Sequence, residues 1–206
     1  MNLPNKLTIF RIILVPIVMI IYLIEPLKNI CFLNLEHLSV CNLIILILVV
    51  VASITDLLDG KIARKYNLVT DFGKFLDPLA DKLMVITTFV ILLDESNYYA
   101  YAYNIKPIFY WWMLATIIIR ELAVTGMRVL AANKNVVIAA DIFGKIKTTL
   151  QFILLIYLLI GIACVNGTMY NNIYYIIGYI LGIVTVLITI ISGINYIIKN
   201  RSVFKN

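Results

Sequence analysis

Charged residues are scarce in this sequence. Only 14% of its 206 residues are Asp, Glu, Lys or Arg, whereas 63% are hydrophobic. An ordinary soluble domain carries about a quarter charged residues, so the composition excludes that class. Several uncharged runs approach the ~20 residues that a helix needs to cross a bilayer. The sequence therefore predicts an all-α, polytopic membrane protein, organised as a single domain over residues 1–206.

Histidine and cysteine are also rare. The one histidine is His37, and the three cysteines, Cys31, Cys41 and Cys164, lack the spacing of a metal site. A histidine-based mechanism is therefore not expected. Cys31 and Cys41 can pair only if their loop faces an oxidising compartment, and we expect unpaired, structural cysteines.

Apolar periodicity predicts six transmembrane helices. An N-terminal amphipathic helix at the membrane interface is expected to precede the first one, and the alternative is a polar lead-in to that span. The N-terminal segment contains Asn2, Asn5, Lys6, Leu7, Thr8 and Arg11. The six spans cover about residues 8–25, 40–58, 78–93, 107–130, 148–165 and 173–198.

Basic residues divide unequally between the two sides that these spans define. Of the 17 lysines and arginines, only Lys28 and Lys106 fall on the side opposite the termini. Basic residues concentrate in cytoplasmic loops, so both termini are predicted to be cytoplasmic. Aromatic residues such as Tyr98, Trp111 and Trp112 gather at the opposite end, as an interfacial belt would.

Four aspartates form two pairs around the connection between the second and third spans. Asp56 and Asp59 are three residues apart, and Asp77 and Asp81 are four apart, so each pair shares one helix face. If the two helices are antiparallel neighbours, the four carboxylates meet and require a cation between them. Oxygen ligands favour Mg²⁺, Mn²⁺ or Ca²⁺. Alternatively, Asp77 before Pro78 is an ordinary helix start.

The pattern D-x2-D-G-x2-A-R-x8-G-x3-D-x3-D resembles the motif of the CDP-alcohol phosphotransferase family. It is carried by Asp56, Asp59, Gly60, Ala63, Arg64, Gly73, Asp77 and Asp81. The resemblance implies a bacterial cell-membrane enzyme, commonly homodimeric, whose active site faces the cytoplasm and uses Mg²⁺ or Mn²⁺, with two ions expected.

The resemblance also implies a role for each matching residue. All four aspartates would be metal ligands, and Asp81 would in addition be the general base. The CDP-binding residues would be Asp56, Gly60, Ala63, Arg64 and Gly73. Further candidate contacts with the nucleotide or headgroup are Asn5, Thr8 and Arg11, since the N-terminal segment resembles the start of one branch of the family.

A second block resembles the branch of the family that makes phosphatidylglycerol phosphate. It reads R-E-x3-T-x2-R from Arg120 and then G-K-x-K-T-x2-Q from Gly144. The alternative is a structural Arg–Glu pair followed by lysines that end a loop. The candidate acceptor phosphate-binding residues are Arg120, Arg128, Lys145 and Lys147. The expected substrates are CDP-diacylglycerol and glycerol 3-phosphate, with no nucleic-acid partner.

Two alternatives to that reaction remain open. The same chemistry can use inositol phosphate, serine or phosphatidylglycerol as acceptor. A divalent-cation transporter also carries carboxylates within the membrane, although it predicts acids spread across the bilayer. In the last span, Gly178 and Gly182 have a G-x3-G spacing that lets helices approach closely. Ser192, Asn195 and Tyr196 follow near its inner end and are expected to line the same cavity as the basic block.

Overall fold

A computed structural model describes residues 2–30, 39–66, 71–102, 104–133, 142–161 and 169–201. Within these ranges the chain forms helices and no strand, which confirms the all-α class. The helices are α1 (Leu3–Leu23), α2 (Glu25–Asn29), α3 (Val40–Lys65), α4 (Asp71–Ala102), α5 (Trp111–Asn133), α6 (Ile142–Gly161) and α7 (Met169–Lys199).

Three stretches of these helices are long and apolar enough to cross a membrane. They are Pro4–Leu23, Ile142–Gly161 and Ile173–Lys199, and a shorter apolar stretch covers Val40–Asp56. The third expected span falls within α4, and the fourth, over 107–130, begins before α5 starts at Trp111. The sequences of both helices include charged residues. The membrane character of the chain is thus supported by its helices, and the count of six spans stays a prediction.

Two helix starts differ from expectation. Helix α1 begins at Leu3 and continues to Leu23, so the N-terminal segment is the first part of a longer helix rather than a separate one. Helix α4 begins at Asp71, and Asp77 therefore lies inside the helix. The interpretation of Asp77 as an ordinary N-cap is wrong, because an N-cap residue precedes the first helical turn. Cys31 and His37 lie outside the described residues, so the expectation that Cys31 is unpaired stays a prediction.

The chain divides into two compact units. The first comprises Met1–Glu95 with Leu159–Val165. In it α1 packs along α3, and Val18 and Ile45 are fully buried. Cys41 of α3 is a buried free thiol. Burial of these apolar faces holds the N-terminal part of α1 against the end of α3 that carries the first aspartate pair.

A polar cluster lies at the other end of this helix packing. The Tyr22 hydroxyl donates to Asp94 Oδ2 at 2.6 Å, and Asn42 Nδ2 donates to Glu95 Oε2 at 3.1 Å. The Lys28 ammonium lies 3.6 Å from the centre of the Tyr22 ring. These contacts tie α4 to α1 and α3 through groups that an apolar pattern does not reveal.

The second unit comprises Ser96–Leu158 with Asn166–Asn206, and in it α5 packs against α7. A Cβ built on Gly178 would lie 2.9 Å from Ile108 Cγ2, and one on Gly182 would lie 3.1 Å from Met113 Sδ. Both glycines therefore allow a close approach, which confirms the prediction from their spacing. This packing fixes the register of α5 and α7 at their polar ends.

Candidate functional site

The first aspartate pair converges on a buried arginine. Asp56 and Asp59 lie on one face of α3, and Arg11 of α1 reaches both carboxylates. Arg11 Nη1 pairs with Asp56 Oδ1, and Arg11 Nη2 donates to Asp59 Oδ2 at 2.5 Å. The arginine and Asp59 side chains are buried, whereas 36% of the Asp56 side chain is exposed. Two carboxylates thus share one cation, and one of them remains open to solvent.

The other motif residues are placed by their backbones. Gly60, Ala63 and Arg64 lie in the last part of α3, and Asp77 and Asp81 lie in the first half of α4. Gly73 is buried in the first turn of α4. The side chains of Arg64, Asp77 and Asp81 fall outside the described part of the structure. That the second pair faces the first therefore stays a prediction.

The described donor set can accept a hard divalent cation. Asp56 and Asp59 offer carboxylate oxygens, the ligands that Mg²⁺ and Mn²⁺ prefer. The Arg11 guanidinium is a stand-in cation, since both carboxylates already bond to it. Among the residues whose side chains are described, no group of three His, Cys, Asp or Glu residues surrounds one point. A complete metal site therefore needs the aspartates of α4.

The N-terminal candidates for nucleotide contact are all buried in α1. Asn5, Thr8 and Arg11 are 6%, 1% and 2% exposed, and Thr8 Oγ1 donates to the Pro4 carbonyl at 3.2 Å. Sequence reasoning assigned Arg11 to the nucleotide or headgroup and missed its pairing with Asp56 and Asp59. In the sequence, Arg11 is recognisable only as a basic residue near the start of an apolar run. That position does not identify its partner.

A second charged cluster lies in the other unit. The Arg120 guanidinium donates from Nη1 to Glu121 Oε1 at 3.2 Å and from Nη2 to Ser192 Oγ at 2.7 Å. The Lys147 ammonium pairs with the same Glu121 oxygen. Adjacent residues on a helix point about 100° apart, but these long side chains bend back to meet. One carboxylate therefore neutralises two of the four predicted acceptor-binding cations.

The other two predicted cations take different positions. Arg128 is exposed, and its Nε donates to the Tyr196 hydroxyl at 3.2 Å. Lys145 is exposed as well. The described contacts thus link Arg120 to Lys147 through the shared Glu121 carboxylate, and they link Arg128 directly to Tyr196. Ser192 and Tyr196, which the sequence placed near this region, are both in contact with its arginines.

A buried amide lies beside the second cluster. Gln151 follows Lys147 by one helical turn on the same face of α6, and it is 4% exposed. Among the described residues, its Nε2 has no hydrogen-bond partner, nor does Arg120 Nε. A buried donor without an acceptor costs free energy, so an oxygen-bearing ligand would satisfy it. Gln151 was part of the sequence block but was not selected as a binding residue.

Space around Arg120 is kept open by two glycines. A Cβ on Gly193 would lie 3.1 Å from Arg120 Cγ, and one on Gly144 would lie 3.8 Å from Arg120 Nη2. The aliphatic part of the arginine thus packs against α7, while its guanidinium reaches the start of α6. The cluster offers two cations, an unpaired amide donor and one carboxylate, a combination that suits a phosphate-bearing ligand.

Comparisons with known proteins agree with this chemistry. A family model for CDP-alcohol phosphatidyltransferase matches residues 1–191. A Bacillus subtilis protein named CDP-diacylglycerol–glycerol-3-phosphate 3-phosphatidyltransferase is 40% identical, with 99% of this chain and 97% of that protein covered. A Rickettsia typhi protein of the same name is 38% identical over 78% of this chain and 77% of that protein. By motif, helices and overall similarity, this chain belongs to the CDP-alcohol phosphatidyltransferase family.

Proposed function

We propose that this chain transfers the phosphatidyl group of CDP-diacylglycerol to sn-glycerol 3-phosphate, giving phosphatidylglycerol phosphate and CMP. The observation that carries the proposal is the similarity over 99% of the chain to a relative that bears this activity in its name. The paired aspartates and the cationic cluster supply the two kinds of group that this reaction needs.

The acidic motif is the proposed site of the CDP-activated lipid. The family generally uses divalent metal ions. Asp56, Asp59, Asp77 and Asp81 would hold Mg²⁺ or Mn²⁺, and we propose two ions. Such ions, when bound, neutralise charge on the pyrophosphate and orient its phosphorus. In addition, Gly60 lacks a Cβ and lets the nucleotide approach the backbone.

Other residues of the motif would contact the same substrate. Ala63 leaves room beside the nucleotide, and Arg64 is a candidate partner for its phosphate. Gly73 is buried at the start of α4, where the chain returns toward the acidic site. In α1, Asn5 and Thr8 are buried one turn or more before Arg11, and we keep them as candidate contacts with the headgroup.

Asp81 is the proposed general base. It takes the proton of the acceptor hydroxyl, whose oxygen forms a bond to the lipid-side phosphorus. The bond from that phosphorus to the CMP oxygen breaks, and CMP leaves with the electron pair. No covalent intermediate with the enzyme is needed.

The cationic cluster is the proposed acceptor site. Arg120 and Lys147 would bind the phosphate of glycerol 3-phosphate, and Arg128 and Lys145 would add positive charge at its edge. Gln151 Nε2 would donate to an oxygen of the acceptor, since no partner for it lies among the residues that the structure describes. A site of this charge favours a phosphorylated alcohol over serine, and inositol phosphate is the closest competing acceptor.

The membrane arrangement completes the proposal. We propose six spans in the cell membrane as a single homodimeric domain, with both termini and the active site on the cytoplasmic side. Support comes from three membrane-length apolar helices and from the basic residues, of which only Lys28 and Lys106 fall outside the cytoplasmic side. The acyl chains would then stay in the bilayer while the headgroup meets a soluble acceptor.

A transfer assay tests the function. Purified protein in liposomes receives CDP-diacylglycerol, Mg²⁺ or Mn²⁺, and either glycerol 3-phosphate, inositol phosphate, serine or phosphatidylglycerol. We expect CMP and lipid product only with glycerol 3-phosphate, and loss of both with a chelator or in the variant Asp81→Asn. Product with another acceptor would contradict the acceptor assignment. Absence of CMP with every acceptor, in folded protein, would contradict the enzymatic function and favour cation transport.

A further inference from the structure

The contacts of Arg11 set it apart from an arginine that binds a phosphate. Only 2% of its side chain is exposed, and each of its terminal nitrogens bonds to a different aspartate of the metal-binding motif. Two carboxylates bonded to one guanidinium repel an anionic ligand that approaches it. The contacts of Arg11 are instead made inside the protein, on residues proposed to be metal ligands.

We propose that Arg11 is a positioning residue of the metal site. In this view its guanidinium is the counter-cation that Asp56 and Asp59 share before a divalent ion binds, and it lowers the affinity of the site for that ion. The inference rests on the proposed metal-dependent function. It adds a role for a residue of α1, which contributes none of the motif aspartates.

Without a divalent ion, the aspartate pair on its own is electrostatically costly. Two carboxylates on one helix face repel each other, and the burial of Asp59 removes much of its hydration. A guanidinium provides two parallel donors and one positive charge, so it relieves both problems at once. Arg11 therefore balances the negative charge of the pair and holds the two carboxylates in place when no metal is bound.

The same contact opposes the binding of metal. A divalent ion at this pair must approach a guanidinium that already carries positive charge. Removal of Arg11 also removes orientation of the carboxylates, which would weaken binding. Asp56 and Asp59 are, however, held three residues apart by the backbone of α3 itself. The loss of a competing charge should therefore outweigh the loss of orientation, and metal should bind more tightly.

The test uses the full-length protein in detergent, without substrate. Mn²⁺ binding is measured by electron paramagnetic resonance, and the midpoint of thermal unfolding is measured in chelator and in Mn²⁺. The variants are Arg11→Gln, which removes the charge, and Arg11→Lys, which keeps the charge but offers a single nitrogen. Lys6→Gln is the matched control, because it removes an exposed charge from the same helix.

We expect Arg11→Gln to bind Mn²⁺ about tenfold more tightly than the wild type, since close charge pairs couple by at least that factor. Its unfolding midpoint in chelator should fall, and Mn²⁺ should restore it. Arg11→Lys should bind Mn²⁺ more tightly than the wild type by a smaller factor. Lys6→Gln should match the wild type in both measurements.

Equal or weaker Mn²⁺ binding by the Arg11 variants would overturn the inference. If Arg11→Gln cannot be recovered folded, the Mn²⁺ affinity of Arg11→Lys relative to the wild type decides whether the inference holds. A wild type that binds no Mn²⁺ would overturn both this inference and the metal-dependent part of the proposed function. Wild-type binding together with unchanged variants would overturn the role of Arg11 alone.

Discussion

The guanidinium of Arg120 in α5 donates a hydrogen bond to the hydroxyl of Ser192 in α7, at 2.7 Å. Glu121 accepts a hydrogen bond from the other terminal nitrogen of the same arginine, so the guanidinium is held from two sides. An arginine fixed in this way loses little conformational freedom when it binds a phosphate. The orientation of Arg120 is therefore set by contacts within the protein, which suits its proposed role in binding the acceptor.

Replacement of Arg120 should weaken acceptor binding selectively. In Arg120→Gln we expect the KM for glycerol 3-phosphate to rise about 10- to 100-fold, because a hydrogen bond to a charged group contributes about 1.5–3 kcal/mol. The KM for CDP-diacylglycerol should stay near the wild-type value. Steady-state kinetics with each substrate varied in turn provides the measurement. Arg201→Gln, at an exposed position, is the control, and equal effects on both KM values would argue against an acceptor site.

We expect Glu121 to mask the cationic cluster, which means that its carboxylate neutralises Arg120 and Lys147 when no acceptor is bound. Replacement by Gln leaves Arg120 and Lys147 without their shared carboxylate, so like charges remain close together. The unfolding midpoint of Glu121→Gln should fall in the absence of ligand, and glycerol 3-phosphate should raise it more than it raises that of the wild type. Glu25→Gln, at an exposed site, is the control. A ligand-induced shift no larger than that of the wild type would contradict the masking.

Gly178 and Gly182 of α7 and Gly126 of α5 should differ in how well they tolerate an added methyl group. A Cβ at Gly178 would meet Ile108 at 2.9 Å, one at Gly182 would meet the flexible end of Met113 at 3.1 Å, and one at Gly126 would meet nothing within 4 Å. We expect Gly178→Ala to lose about 1–3 kcal/mol of stability through overpacking. Gly182→Ala should lose less, because the methionine can move. Gly126→Ala should be neutral or gain up to about 1 kcal/mol from helix propensity.

Thermal unfolding of these three alanine variants in one detergent gives the comparison. A larger loss at Gly126 than at Gly178 would contradict the described contacts between α7 and its neighbours. Because each variant adds the same methyl group, the ranking reports local space rather than a change in side-chain chemistry.

Stability should depend on pH through Glu95, which lies past residue 93, the end expected for the third span. Burial raises its pKa from 4.5 to about 7, and Asp94 adds to the rise, whereas the hydrogen bond from Asn42 and the charge of Lys28 lower it. The folded state thus favours the neutral carboxyl. The corresponding stability is fully present below pH 4.5 and is lost as the pH rises toward 7.

The measurement is the unfolding midpoint of the wild type and of Glu95→Gln between about pH 5 and pH 8. Glutamine cannot ionise, so the variant should gain stability relative to the wild type as the pH increases. Parallel curves for the two proteins would show that Glu95 is not the titrating group.

The helices were predictable because their apolar runs are long and their breaks are polar. The expected span 40–58 falls inside α3, and the expected span 173–198 falls inside α7. The start of α4 was missed, because Pro78 after Asp77 resembles a helix start even though the helix begins at Asp71. The Asp-Pro pair is a local signal, and it cannot reveal that the helix already includes the residues before it.

The residue types of the candidate site were predictable, but their partners were not. Asp56 and Asp59 share a face by spacing alone, whereas their pairing with Arg11 depends on how α1 rotates against α3. Likewise, the block from Arg120 to Gln151 identified the charged residues but not the sharing of Glu121 by two cations. Such contacts arise from tertiary packing between helices, which one sequence with its periodicity leaves undetermined.

The pairing of Arg11 with Asp56 and Asp59 also bears on how the chain enters its membrane. Helix α1 is synthesised before α3, so the positive charge of Arg11 is unmatched by Asp56 and Asp59 until α3 follows. A charge within a membrane helix is costly, and an oppositely charged partner reduces that cost. The first helix and α3 should therefore assemble as a pair during biogenesis, so that loss of Arg11 would lower the yield of inserted protein before any substrate is met.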